Sequence, residues 1–301
     1  MRCFGVRPGG GEIALPEPSE FRFDSSEEAP ADRLTAVFPA RRDCGPLPGL
    51  RVRDAAGALL FDGVVDVLRR VSSGSGGAAV MTARSRAGLL LDSEALPQSY
   101  DLPSLATVYE KHIRPYGFAG YRGSGLVFEG TVVVEKGMSE WQVAERFCKK
   151  YLLVAPRVRG GIFDASGGAG RREIRFDNRR GERYLSAELR DRYCDRLSGL
   201  YELSGGRYLP AARDEETAAL GIVRNRCLTR QPEDPAAALR DAERGAFAAV
   251  VECPGAPKAE AGDSAALDDP ALGAAGGLVV SEIRHVRDGG GERCRYVLRR
   301  E

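Results

Sequence analysis

The chain has two histidines, His112 and His285, and seven cysteines, at positions 3, 44, 148, 194, 227, 253 and 294. These side chains most often serve as bases, nucleophiles and metal ligands. No two cysteines stand two or three residues apart, so the zinc-ribbon and dithiol redox spacings are absent. Neither histidine lies near a cysteine or histidine cluster. Zinc binding and Ser-His or Cys-His catalysis therefore lack parts. His112 falls on a predicted helix face and His285 in a predicted strand, and both read as structural. The cysteines read as buried thiols of a reducing compartment.

The carboxylate clusters Glu27-Glu28, Asp214-Glu215-Glu216 and Asp268-Asp269 sit in predicted turns and read as solvated surface. A glycosidase needs two carboxyls spaced across a cleft, which adjacent pairs do not show. The glycine runs at 9–11, 123 and 125, 167–170 and 289–291 lack the Rossmann and P-loop spacings and read as loop tips. Arg41-Arg42, Arg69-Arg70, Arg171-Arg172 and Arg179-Arg180 are short and offset by nearby acids. Formal net charge is +1, so no global field draws the chain to nucleic acid or acidic lipid. No catalytic, cofactor-binding or metal-ligating residue is assigned. The chain is expected to be non-enzymatic and to need no cofactor.

Stepping from these residues to their scaffold, the 37 glycines and 17 prolines fall between short strand-like runs. That pattern favours a β-rich fold with many turns. Alternation predicts strands over 21–24, 34–38, 50–53 and 59–67, with Gly63 as a bulge. A hairpin tip is predicted at 72–77 and a returning strand at 78–83. Ser104 is placed to cap a helix to about 114, with Leu105, Val108, Tyr109, His112 and Ile113 on one face. Two short strands are predicted near 125–128 and 131–134. Ser139 with Gln142 forms a capping-box pattern. The helix after it turns Trp141, Ala144, Phe147, Cys148 and Tyr151 toward a core. Asp234-Pro235 reads as an N-cap and first turn. A hairpin over 197–209, a buried strand over 247–253 and a final hairpin over 278–298 follow. Residues 254–277 read as a long mobile excursion, being poor in large apolar side chains.

The fold class expected is β-rich α+β, with two β-barrel-like domains and a small inserted α/β module. The boundaries are 1–90 for the first barrel, 91–160 for the insert and 161–301 for the second barrel. The longest apolar runs fall far short of a membrane span, and residues 1–5 hold no apolar signal core. A cytoplasmic product is expected.

Two segments carry a family resemblance. Residues 81–100, Met-Thr-Ala-Arg-Ser-Arg-Ala-Gly-Leu-Leu-Leu-Asp-Ser-Glu-Ala-Leu-Pro-Gln-Ser-Tyr, lead to the 104–113 helix and to Pro115-Tyr116-Gly117-Phe118. They resemble the centre of phage late control protein D and related baseplate hub proteins of contractile tails. Residues 132–147 are similar to the first strand and helix of a LysM module and to the matching part of the hub family. Residues 152–161 lack the rest of a LysM module. The strands over 21–38, residues 60–66, residues 221–224 and the final hairpin match further landmarks.

The resemblance implies a structural hub of a phage, prophage or phage-derived particle, joining tail tube to central spike. It implies a homotrimeric ring, with the tube protein, the spike protein and other baseplate subunits as partners. No membrane and no specific nucleic acid is among them. Synthesis in a bacterial cytoplasm and residence in the virion tail follow. No lysozyme-like or peptidase domain is expected after the hub part. The alternative is a LysM-type peptidoglycan binder contacting the cell wall, for which Trp141 would have to line an exposed groove.

Overall fold

The computed structural model describes residues 1–39, 45–54, 56–74, 76–168, 171–228 and 234–301. Arg41, Arg42, Cys44 and the end of the 167–170 glycine run lie outside the described residues. Contacts divide the chain into two units, Met1–Arg171 with Ile283–Cys294, and Arg172–Glu282 with Arg295–Glu301. The last two strands, Gly273–Asp288 and Gly291–Arg300, contribute to both units. The fold is β-rich, as expected from the turn punctuation.

The first unit is built on period-two alternation. Its strands run in the order Glu12–Ala14, Arg2–Val6, Gly49–Arg53, Leu59–Ser73, Gly76–Ser85, Arg33–Pro39 and Glu20–Ser26. Rows across the sheet follow the register. Leu68 faces Met81, Met81 faces Ala36, and Ala36 faces Phe21. This row belongs to a core with Leu34, Phe38, Leu50, Val52, Phe61 and Ala83. One residue further, the row Val67, Thr82, Thr35 and Arg22 points to the opposite face, as a two-residue period requires.

The 59–67 strand extends to Ser73, and its bulge differs from expectation. The register shifts between Val65 and Val67, which makes Asp66 the extra residue. Gly63 has another task. A Cβ there would stand 2.2 Å from the Arg84 carbonyl oxygen and 2.5 Å from the Phe61 ring. The glycine permits close approach of two strands.

A module with its own core follows within the same unit. Helix Ala87–Asp92 opens it, an element the sequence pattern did not indicate. Ser104 caps Leu105–Val108, accepting from Thr107 N at 3.1 Å. The helix then widens into a π-turn, Tyr109–Ile113, and closes at Gly117 with φ of +84°. The capping box at Ser139 is complete. Gln142 N donates to Ser139 Oγ at 3.2 Å, and Ser139 N donates to Gln142 Oε1 at 2.8 Å. The helix Glu140–Phe147 buries Trp141, Ala144 and Phe147 against Leu90, Leu105, Ile113 and Phe163. Tyr151 packs on this core half-buried. Thr131–Val134 pairs with Gln98–Asp101. Residues 125–128 form no strand, only a bridge from Val127 to Ser104. Leu126 and Val127 are exposed, so that apolar run has no inner face to fill.

In the second unit, Asp234 caps Pro235–Ala246 through Ala236 N at 3.0 Å. The hairpin Gly199–Ser204 with Arg207–Arg213 turns on Gly205 and Gly206, both at positive φ. That matches the type I′ geometry such turns favour. Strand Phe247–Pro254 lies between Ser186–Asp191 and Gly291–Arg300. The expected excursion at 254–277 instead holds a strand, Ser264–Asp269, paired with Glu173–Phe176 and with Gly273–Asp288. Ala265 and Leu267 fill the core there despite the small-residue composition. The buried Asp263 anchors the strand, accepting from Arg172 N and Glu260 N. Among the described residues no helix is long and apolar enough to cross a membrane.

Candidate functional site

Ionisable groups converge most closely inside the module, around His112. The π-turn brings its ring toward the start of the Glu140–Phe147 helix. His112 Nδ1 lies 2.5 Å from Glu140 Oε2, and Nε2 lies 3.1 Å from the Tyr100 hydroxyl. Tyr116 donates its hydroxyl to Glu140 Oε1 at 3.1 Å. Burial raises the Tyr100 phenol above its ordinary range, with the Glu140 charge adding to the effect. Tyr116 is raised by burial as well. The parts are those of an acid/base dyad, but no substrate could reach them. His112 is 2% exposed and Glu140 8%. Four elements meet at this pair, which therefore serves as an internal clamp.

His285 is structural too. Its ring packs 5.2 Å from that of Phe21, and Nε2 lies 2.8 Å from Glu292 Oε1. Burial lowers its pKa, outweighing Glu292. The carboxylate clusters have local tasks. Asp214 caps Glu215–Ala219 through Thr217 N at 3.0 Å. Asp268 pairs with Arg175, and Asp269 accepts from the Tyr184 hydroxyl. Glu27 pairs with Arg157 at 2.8 Å. Among the described residues no three His, Cys, Asp or Glu side chains cluster as metal ligands. Cys3, Cys148, Cys253 and Cys294 are buried, whereas Cys194 and Cys227 are exposed, against the expectation of uniformly buried thiols. Burial pushes the Cys3 thiol up to about 11 and the Cys148 thiol up to about 12.

The Arg84-Ser85-Arg86 element proves to be a joint between sheet and module. Arg84 reaches back to Asp66 at the bulge, at 2.7 and 3.0 Å, and forward to Asp92 on the first module helix at 2.5 Å. Ser85 Oγ accepts from Asp32 N at 3.0 Å. Arg86 donates to Asp62 at 2.7 Å, and its guanidinium crosses under Gly117, 3.0 Å from where a Cβ would stand. Arg51 donates to the other oxygen of Asp62 at 2.9 Å. Burial raises the Asp62 pKa, but the bonds from Arg86 and Arg51 outweigh it and hold the carboxyl below its usual range. Arg84 and Arg86 lie in the 81–100 segment that carries the family resemblance, but nothing in the sequence assigned a task to Asp62, Asp66 or Glu140.

Beyond the bulge the long strand becomes an edge of the sheet, backed by 78–82 and, through them, by 35–39. Gly49–Arg53 leaves the long strand at Val64, and Val65 N donates to Pro48 O. Val67 and Val71 are exposed on this edge strand, beside Arg69 and Arg70. The molecule thus presents surface edges, with its converging ionisable groups packed inside.

No protein-family model and no curated protein matches the sequence. Solved structures do match the fold. The tail protein from Neisseria meningitidis MC58 is 16% identical with a TM-score of 0.74, over 99% of this chain and 96% of that one. The 43 kDa tail protein of prophage MuSo2 from Shewanella oneidensis is 13% identical with a TM-score of 0.76, over 99% and 97%. An E. coli type VI secretion component, described as structurally similar to T4 phage tail proteins gp27 and gp5, is 12% identical with a TM-score of 0.58, over 95% and 74%. From one end to the other, this chain has the fold of phage and prophage tail proteins.

Proposed function

We propose that the chain is a structural baseplate hub subunit of a contractile phage-type particle, without catalytic activity, that joins the tail tube to the central spike. The observation that carries this reading is the match over nearly the full length of two tail proteins. On this reading residues 1–90 and 161–301 supply two tube domains, and residues 91–160 supply the insert. Three copies then offer six similar lobes to a sixfold tube and three to a threefold spike. A closed ring also covers sheet edges that a lone subunit leaves open. The partners are further copies of the chain, the tube protein, the spike protein and other baseplate subunits. Membrane and nucleic acid are not among them. The place of synthesis is a bacterial cytoplasm and the place of work the tail.

The wall-binding alternative depended on an exposed Trp141. That side chain is 6% exposed and stands edge-on to Phe163, with ring centroids 6.0 Å apart. The test is co-expression with the tube and spike proteins of one particle, followed by native mass spectrometry and electron microscopy. The expected product is a three-copy annulus bound to both. A chain that binds neither and pellets with purified peptidoglycan would overturn the reading.

A further inference from the structure

The Leu59–Ser73 strand runs on for seven residues past the bulge at Asp66, paired only with Gly76–Ser85. Among the described residues nothing pairs with the outer edge of residues 66–73. An open edge of a sheet is a template for another strand. This edge is also aimed. The bulge sets its direction, and Arg84 holds Asp66 with two bonds while gripping Asp92 on the module.

Its composition is also unusual for a solvent edge. Val67 is 54% exposed and Val71 44%. Their face continues through Val80 and Val37, which lie in one row with Arg69. Among the described residues no carboxylate meets Arg69 or Arg70, and Arg70 donates only to the Gly45 carbonyl at 3.3 Å. The edge strand therefore offers unpaired backbone, β-branched side chains and two cations.

A second strand has a complementary character. Ser186–Asp191 is an end strand of its sheet and, among the described residues, pairs only with Phe247–Pro254. Glu188 and Asp191 outnumber Arg190 on it. Glu188 pairs with Arg190 at 2.9 Å but keeps a side chain 54% exposed, from which it can turn to a second cation, and Leu185 beside it is 67% exposed. We propose that residues 66–73 are a docking edge on which the Ser186–Asp191 strand of a second copy adds by backbone pairing, with Glu188 facing Arg69. The contact is head-to-tail, so it propagates from copy to copy and closes only if the rotation per step divides the circle. Main-chain bonds supply the affinity, and the charge pair selects the partner strand. This deepens the hub reading and rests on it.

The test uses the isolated full-length chain. Sedimentation velocity should show concentration-dependent association. Amide exchange over 66–73 and 186–191 should slow together as protein concentration rises. Arg69→Glu alone, and Glu188→Arg alone, should each weaken association by at least about tenfold, since like charges then meet across the strands. The chain carrying both changes should regain it to within about threefold, which a folding defect could not produce. A chain monomeric at every concentration, association indifferent to Arg69→Glu, or failure of the double variant to recover would overturn the proposal. If the tube and spike complex forms while Arg69→Glu has no effect, only this edge assignment falls. If no such complex forms, the hub reading falls.

Discussion

Replacing Glu140 by leucine isolates what the internal clamp does. The carboxylate accepts from the Tyr116 hydroxyl and holds His112 at 2.5 Å. Its removal leaves a buried imidazole and a hydroxyl without their acceptor. Breaking a buried pair from one side destabilises by about 3–5 kcal/mol, because the orphaned group keeps its desolvation penalty. We take about 4 kcal/mol. With a urea slope of about 2 kcal/mol/M, the midpoint should fall by about 2 M. The chain has a single tryptophan, Trp141, which sits in the module core one residue from Glu140. Its fluorescence therefore reports module unfolding directly. The double variant His112→Phe with Glu140→Leu replaces the pair by apolar groups and should recover to within about 1.5 kcal/mol of the native chain. A single-variant loss below about 1 kcal/mol would refute the clamp, and so would a double variant as unstable as the sum of its singles.

Three further outcomes follow from the joint, the close strand approach and the thiols. Asp62 has a depressed folded pKa, so its stabilisation is present above the unfolded value and is lost as pH falls through the folded one. Asp62→Asn should lower the melting temperature at neutral pH, with the gap to the native chain closing as pH falls below the ordinary carboxylate range, read by calorimetry across pH. Gly63→Ala forces a Cβ onto the Arg84 carbonyl and should destabilise the first unit by about 3 kcal/mol or more, read by denaturant unfolding. Iodoacetamide at pH 8 should label Cys194 and Cys227 and spare Cys3 and Cys148 until denaturant is added, read by peptide mass spectrometry.

What was legible in the sequence was local. Ser104, Ser139 with Gln142, and Asp234-Pro235 cap helices through bonds spanning two or three residues, so spacing alone reveals them. The alternating runs at 21–24, 34–38 and 50–53 marked strands because their inner faces fill one core. Apart from the short helix Ala87–Asp92 and the absent strand at 125–128, the misses are long-range. The strand at 264–269 is made by its pairing with Glu173–Phe176, about ninety positions away, and its alanines carry little propensity of their own. The bulge moved from Gly63 to Asp66 because Arg84 holds a carboxylate there. His112 was read as structural on its helix face, but its partner lies 28 residues on and left no local trace. The 81–100 segment could be seen to resemble a family, while the task of Arg84 and Arg86 within it depended on three aspartates scattered between 62 and 92.

The first unit is completed by the last hairpin of the chain. Arg284 pairs with Asp24 at 2.7 Å across a separation of 260 residues, and His285 stacks on Phe21. Vectorial synthesis at about 5–20 residues per second delivers those two ends roughly 13–50 seconds apart, long against the formation of a hairpin. An emerging chain therefore holds an unfinished sheet margin at Glu20–Ser26 until residues 283–294 leave the ribosome. Through that interval the margin is an unpaired edge on which another strand could form, and the late hairpin is what closes it.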